Sequence, residues 1–198
     1  MINRYQHSIF APNIGNLHLK NTTIPSRIFL VGPMGAGKTT IGLKLAEALH
    51  KEFKDSDQEI EQNTGATIPL IFELEGEEGF RERETRMIAR LANQENIILA
   101  TGGGAVIKTE NRTILSEKGY VIYLHASLDK LMERTSKDRN RPLLQTENPR
   151  QVLADLLYQR EPLYREVADL VYETDKKPIR EIINDIVDTL QNNSDSAN

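Results

Sequence analysis

The sequence predicts an α/β domain built around a parallel sheet, and three observations carry that reading. Short β-branched or aromatic runs, Ile28–Val31, Ile97–Ala100 and Tyr120–Leu124, alternate with longer stretches of helical periodicity. Two of those runs end in glycine-rich turns, which suits strands whose carboxyl ends face a ligand crevice. The first turn completes the pattern G-x-x-x-x-G-K-[ST] with Gly32, Gly37, Lys38 and Thr39, between an apolar strand and a helical pattern. At 198 residues the chain fits one such domain with a core large enough to stand without staples.

Composition narrows the function classes. Lys+Arg 25 against Asp+Glu 29 gives a net charge of −4, which argues against broad nucleic-acid or anionic-membrane binding and leaves room for a local basic pocket. With no cysteine there are no disulfides and no thiol chemistry, which fits a reducing compartment. No apolar run approaches the roughly 20 residues that span a bilayer, so the expectation is a soluble, cytoplasmic protein. No internal repeat is present. Residues 1–26 lack periodicity and lack the basic, apolar and small-residue parts of a secretory signal, and are expected to be a flexible extension. His7 and His18 fall there as isolated, solvated histidines.

Ile28–Val31 reads as a buried strand, and Ile41, Leu45 and Leu49 recur at helical spacing after the loop. Between them Gly35, Ala36, Gly37, Lys38, Thr39 and Thr40 form a phosphate cradle. Glycine backbone lets successive N–H groups converge, and the helix adds its positive end. Lys38 can reach the β- and γ-phosphates, and the Thr39 hydroxyl can ligate Mg²⁺.

Phe53-Lys-Asp55-Ser-Asp57 reads as a second strand with an acidic tip across the crevice. Pattern leaves two roles open for these carboxylates. One can cap the next helix, and either can serve Mg²⁺ or a substrate hydroxyl. Ile68–Leu74 predicts an apolar helix, and Glu75–Glu84 opens another with Ile88 and Leu91 inward. Arg81 and Arg83 either pair with neighbouring glutamates on a solvated face or, for Arg81 beside Phe80, reach a small anionic substrate.

The third strand, Ile97–Ala100, leads through Thr101 into Gly102, Gly103 and Gly104, a binding edge where a ligand can approach the backbone. It does not end in aspartate, so help for Mg²⁺ falls to Asp55. Tyr120–Leu124 is the fourth strand, His125 at its end reads as a packing or surface residue, and Ser127 caps a helix starting at Leu128. From Arg134 to Asn148 the chain is polar, basic in its first half and poorly periodic, the composition of a mobile lid able to bring Arg141 over the phosphates. Val152, Leu153, Leu156 and Leu157 mark a helix leading to Arg160 and interrupted by Pro162. Leu170–Tyr172 is a fifth strand, Ile179 to Leu190 a strongly amphipathic final helix, and 191–198 a polar, disordered tail.

Taken together, Gly32-Pro-Met-Gly-Ala-Gly-Lys-Thr-Thr-Ile-Gly42, Asp55-Ser-Asp57, Glu61 with Thr64-Gly65, Gly76-Glu-Glu-Gly-Phe-Arg81, Thr101-Gly-Gly-Gly104, Arg141-Pro-Leu-Leu144 and Arg160-Glu-Pro-Leu-Tyr164 resemble the shikimate kinase family, from about residue 27 to 190. The resemblance implies a three-layer P-loop kinase with a five-stranded parallel sheet of order 2-3-1-4-5, and a lid at about 135–148. The implied reaction is Mg²⁺- and ATP-dependent phosphorylation of the 3-hydroxyl of shikimate, on the route to chorismate and aromatic amino acids.

Residue by residue, the resemblance implies that Asp57 binds ring hydroxyls and serves as base. It places Gly103 on the substrate with Gly102 and Gly104 beside it, while Arg81 and Arg160 grip the carboxylate. Lys38 and Arg141 would stabilise the phosphoryl group, with Thr39 on Mg²⁺ and Asp55 supporting the ion through water. Arg134 would stack on adenine, opposite a clamp near Lys177 and Pro178. The implied partners are shikimate and ATP, with no nucleic acid or membrane, and the family expectation is a monomer. A kinase for gluconate or a nucleoside monophosphate would keep the P-loop without needing Asp57, Arg81 and Arg160 as a set. A GTPase-like switch would carry an Asn-Lys-x-Asp motif, which the sequence lacks.

Overall fold

The computed structural model describes residues 24–136 and 146–193. Five parallel strands form one sheet: β1 (Arg27–Val31), β2 (Glu52–Asp55), β3 (Ile97–Ala100), β4 (Tyr120–His125) and β5 (Leu170–Glu173), in the order β2-β3-β1-β4-β5. The central position of β1 follows from its sequence. Ile28, Phe29, Leu30 and Val31 are all fully buried, as a strand covered on both faces requires. β1 pairs with β3 on one side (Phe29 opposite Leu99) and β4 on the other (Phe29 opposite Val121).

Because successive side chains alternate, β1 feeds two cores. Phe29 and Val31 join Ile60, Phe80, Ile88, Leu115 and Tyr164 under α2 (Ser56–Thr64), α3 (Ile68–Leu91), α4 (Thr109–Lys118) and α6 (Pro149–Val167). Ile28 and Leu30 join Ile41, Leu45, Leu131, Ile182 and Ile186 under α1 (Lys38–Leu49), α5 (Leu128–Thr135) and α7 (Ile179–Asn193). On α1 the inner stripe is Ile41, Gly42, Leu45 and Ala46, with Leu49 only partly buried. Gly42 has no side chain because the Phe53 ring and Leu30 occupy that space.

Several boundaries differ from the sequence reading. Residues 24–26, expected in the flexible extension, belong to the folded body: Ile24 packs on the α1 core and the Ser26 carbonyl accepts from Ile97 N–H at 3.1 Å. The two helices expected here are both present and meet at Gly76, one residue past the expected boundary at Glu75, where φ of 71° and ψ of −176° are non-helical; together they are labelled α3. Pro162 does not interrupt α6, which runs on to Val167. Burial of Tyr164 and Val167 holds the helix together beyond the missing N–H, and exposed Tyr158 leaves the carbonyl that N–H would have met open to water. α7 continues through Asn193, past the expected start of the tail at 191. The extension before residue 24, the lid residues 137–145 with Arg141, and the tail from 194 lie outside the described residues. Among the described residues no helix is long and apolar enough to cross a membrane.

Candidate active site

The carboxyl ends of β1, β2 and β3 converge on one crevice, and each delivers a different chemistry. After β1 the chain turns through Gly32, Gly35 and Gly37 with φ of 140°, 80° and 95°, values that exclude ordinary side chains. Gly37 opens α1 without a side-chain cap, so its first N–H groups are left for a ligand. Lys38 folds back over the loop, donating to the carbonyls of Gly32 (2.7 Å) and Pro33 (2.9 Å).

After β2 the two aspartates divide the roles that the sequence left open. Asp55 is the cap of α2: its Oδ1 accepts from the N–H groups of Asp57 (3.0 Å) and Gln58 (3.4 Å). Its other oxygen accepts from the Thr39 hydroxyl at 2.9 Å, so a P-loop hydroxyl and a strand-end carboxylate meet. These hard oxygen donors fit Mg²⁺, which usually takes one or two protein ligands and fills the rest of its octahedron with water and phosphate oxygens. No cluster of three or more His, Asp or Glu able to hold a metal occurs among the described residues.

Asp57 is therefore free of the cap, and its buried Oδ1 has no donor among the described residues. Its pKa is raised to about 7, first by burial and then by the nearby charges of Asp55 and Glu84, against the opposing pull of Lys38 and Arg81. A carboxylate kept short of hydrogen bonds beside a phosphate loop is suited to take a proton from a substrate hydroxyl.

After β3, Thr101 ties back to β1 by donating from its N–H (3.1 Å) and hydroxyl (3.2 Å) to the Leu30 carbonyl. The glycines that follow are forced by close neighbours. A Cβ on Gly102 would lie 2.7 Å from Glu84 Oε1 and 2.8 Å from Asp57 Oδ1, one on Gly103 would crowd the Met34 N–H of the P-loop at 3.3 Å, and one on Gly104 would enter the Arg81 guanidinium. The three glycines are thus a wall shared by both halves of the crevice.

Arg81 is buried and held by Glu84 (2.7 Å) and Glu77 (3.2 Å). Arg81 thus pairs with glutamates as the sequence allowed, but from a buried position and not on a solvated face. Arg160, on α6, lies near the Tyr164 hydroxyl and close enough to Glu84 to pull that carboxyl's pKa down, against the larger upward push of burial. The two guanidiniums, from helices far apart in the chain, thus converge behind the glycine wall.

The P-loop borders a cavity of about 470 Å³ whose lining runs from Asp55, Asp57 and Gly103 to Arg134, Thr174 and Lys177. Arg134 leaves α5 to donate to the Gly35 carbonyl (3.3 Å), the Thr174 hydroxyl (3.0 Å) and the Thr174 carbonyl (2.8 Å). Lys177 lines the same cavity and is ion-paired with Asp185.

Several residues at the site escaped the sequence reading. Glu84, fully buried with one oxygen unpartnered, has the spacing of an ordinary surface ion pair with Arg81, so nothing local marks it. Ser56 accepts from Gly102 N–H at 3.1 Å, and Thr174 anchors Arg134 from just beyond β5. Phe72 packs on Phe80 with ring centroids 4.7 Å apart, adding an apolar wall next to Arg81, and its presence depends on the bend at Gly76.

Comparison with known proteins agrees with this geometry. The protein-family model described as shikimate kinase matches residues 34–191. The chain is 60% identical over 163 residues to shikimate kinase of Pseudomonas fluorescens, an alignment covering 82% of this chain and 95% of that one. It is 56% identical over 164 residues to shikimate kinase of Thioalkalivibrio sulfidiphilus, covering 83% and 86%. Among solved structures, shikimate kinase from Acinetobacter baumannii in complex with shikimate superposes with a TM-score of 0.82 at 52% identity, over 85% of this chain and 94% of that one. A gluconokinase from Sinorhizobium meliloti, with a TM-score of 0.57 at 19% identity over 87% of this chain and 95% of that one, shares the fold alone.

Proposed function

The chain belongs to the shikimate kinase family, and from that premise we propose how its own residues carry a phosphoryl group from ATP to shikimate. The enzyme is an ATP-dependent kinase of shikimate. In our reading the acceptor is the 3-hydroxyl and the product shikimate 3-phosphate, within chorismate and aromatic amino acid synthesis.

Shikimate is a small ring with hydroxyls at one end and a carboxylate at the other. The carboxylate goes to Arg81 and Arg160, which supply paired N–H donors to both of its oxygens. The ring then lies along Gly102–Gly104, and its reacting hydroxyl faces Asp57, which accepts the proton as the oxygen attacks. Triphosphate lies in the loop 35–40, where backbone N–H groups and Lys38 hold the β- and γ-oxygens. Adenine extends toward Arg134, with Lys177 and Pro178 near the opposite face. Thr39 and, through water, Asp55 hold Mg²⁺, which when bound neutralises charge on the phosphates. By the family resemblance, Arg141 adds positive charge to the transferring phosphoryl group. Little covalent work is asked of the protein, because placing the hydroxyl in line and surrounding the phosphoryl with positive charge supplies most of the acceleration. We place the enzyme in the cytoplasm as a monomer.

The observation that carries the acceptor assignment is the convergence of Arg81, Arg160 and Asp57 around one glycine wall facing the P-loop. The test is ADP release with Mg²⁺-ATP and shikimate, gluconate, several nucleoside monophosphates, or no acceptor. Release with shikimate alone is expected. Turnover with another acceptor would keep the P-loop argument and overturn the roles of Arg81, Arg160 and Asp57.

A further inference from the structure

The proposed acceptor site has two walls, α3 carrying Arg81 and α6 carrying Arg160, with the glycine strand end between them. Tyr164 lies one turn beyond Arg160 on α6 and is 1% exposed. Its hydroxyl donates to the Gly103 carbonyl, and the Arg160 guanidinium lies nearby. Its ring stacks on that of Tyr123 from β4, with centroids 5.0 Å apart and planes at 26°. Burial pushes the Tyr164 hydroxyl up to about 12, so it remains a proton donor at any working pH.

These contacts meet at one peptide unit. The bond between Gly103 and Gly104 is planar and trans, so a hydrogen bond that fixes its carbonyl also fixes the direction of the Gly104 N–H and the position of the Gly104 Cα. The Arg81 guanidinium lies directly against that Cα, in space a side chain would otherwise take. Gly103 itself backs onto the Met34 N–H of the phosphate loop. Glycines left to themselves are the residues freest to rotate, so a wall of three needs an outside anchor.

We propose that Tyr164 is a positioning residue for phosphoryl transfer: by holding the Gly103 carbonyl with its hydroxyl, it sets the glycine wall against the Arg81 guanidinium that packs on Gly104. It does not touch the reacting atoms. The neighbouring Tyr123 supplies an internal control, since it is equally buried yet its hydroxyl has no hydrogen-bond partner. Two stacked tyrosines thus differ in whether the hydroxyl is used.

The inference rests on the acceptor reading of Arg81 and Arg160, and two measurements separate its failure from the failure of that reading. Tyr164→Phe keeps the ring and its stacking and removes only the hydroxyl. In steady-state kinetics KM for shikimate should rise roughly five- to ten-fold, the loss of about one hydrogen bond's worth of alignment, with KM for ATP unchanged. Tyr123→Phe should leave both unchanged. In the ligand-free protein, amide hydrogen exchange at Gly104 should quicken in Tyr164→Phe and not in Tyr123→Phe. Equal loss for both substrates, equal effects of the two variants, or unchanged KM for shikimate would overturn the proposal. If the wild-type enzyme prefers another acceptor, the exchange measurement still decides whether the hydroxyl anchors the glycine wall, and unchanged exchange there would also overturn it.

Discussion

At Asp57 one carboxylate oxygen is buried without a donor among the described residues, and the charges of Asp55 and Glu84 stand on either side. That arrangement strains the folded protein in favour of its chemistry. The folded-state pKa of about 7 lies above the unfolded value of 3.8, so between those values folding takes up a proton. The contribution of this group to stability therefore falls as pH rises through that window and is fully lost above about 7. Asp57→Asn removes the ionisation and keeps the shape. We expect it to raise stability at pH 8 by about 1–2 kcal/mol, to leave little difference at pH 4, and to lower turnover at least 100-fold. Thermal melts at the two pH values and a single-turnover assay check this. A variant as active as the wild type would remove Asp57 from the role of base. Gly104→Ala acts one residue group away, where its methyl would displace the far end of the Arg81 side chain rather than backbone. Folding should therefore change little while KM for shikimate rises about ten-fold or more and KM for ATP stays put. A melting temperature that collapses instead would place the cost in the fold.

At the scale of the element, α3 shows how a helix can be bent to build a wall. Gly76 sits at φ 71° with open space around its Cα, so its requirement is conformational and not steric. The bend brings Phe72 onto Phe80, and Glu75 on its near side takes both Arg83 nitrogens at 2.6 and 2.7 Å. Alanine at 76 would cost about 1–2 kcal/mol if the bend persists, or would straighten the helix and withdraw Phe72 from Arg81. In either case we expect melting to fall by ~2–8 °C, and in the second KM for shikimate should rise as well. Gly65→Ala, at a similar φ of 68° but at the C-cap of α2, should show the melting loss with smaller effect on KM.

This element also shows what sequence could and could not convey. The periodicity around Ile88 and Leu91 placed the inner face of α3, and Ser127 marked the start of α5, because caps and stripes are local. The helix boundary read at Glu75 falls at Gly76, whereas Pro162 read as an end although α6 runs on, because whether a helix survives a proline depends on packing by residues such as Tyr164 and Val167. Arg81 carried both of its readings for the same reason: its pairing with Glu84 is local, and its place against Gly104 is not.

Across the whole molecule the sheet separates two tasks. Side chains of β1 pointing one way pack under α1 and α7, which border the P-loop cavity, and those pointing the other way pack under α3 and α6, which carry Arg81 and Arg160. Only the strand ends and the P-loop belong to both. The phosphate loop was legible because its motif is written along the chain, and the strand order came from the family resemblance that the separate motifs carry together. Thr174 and Glu84 were not legible, because they act through partners brought together by the sheet. This separation predicts how each ligand stabilises the fold. A ligand at 100 times its dissociation constant adds about 2.7 kcal/mol, or ~5–10 °C of melting temperature for a domain of this size. Shikimate and Mg²⁺-ATP should each do so in the wild type. Arg160→Ala removes a side chain that is only half buried, so the unliganded protein should melt within a few degrees of wild type, and the Mg²⁺-ATP shift should remain. The shift with shikimate at the same concentration should largely vanish, since breaking a charged pair to a carboxylate costs roughly 2–5 kcal/mol of binding. Equal loss of both shifts would mean that Arg160 supports the fold of the whole crevice and not the acceptor alone.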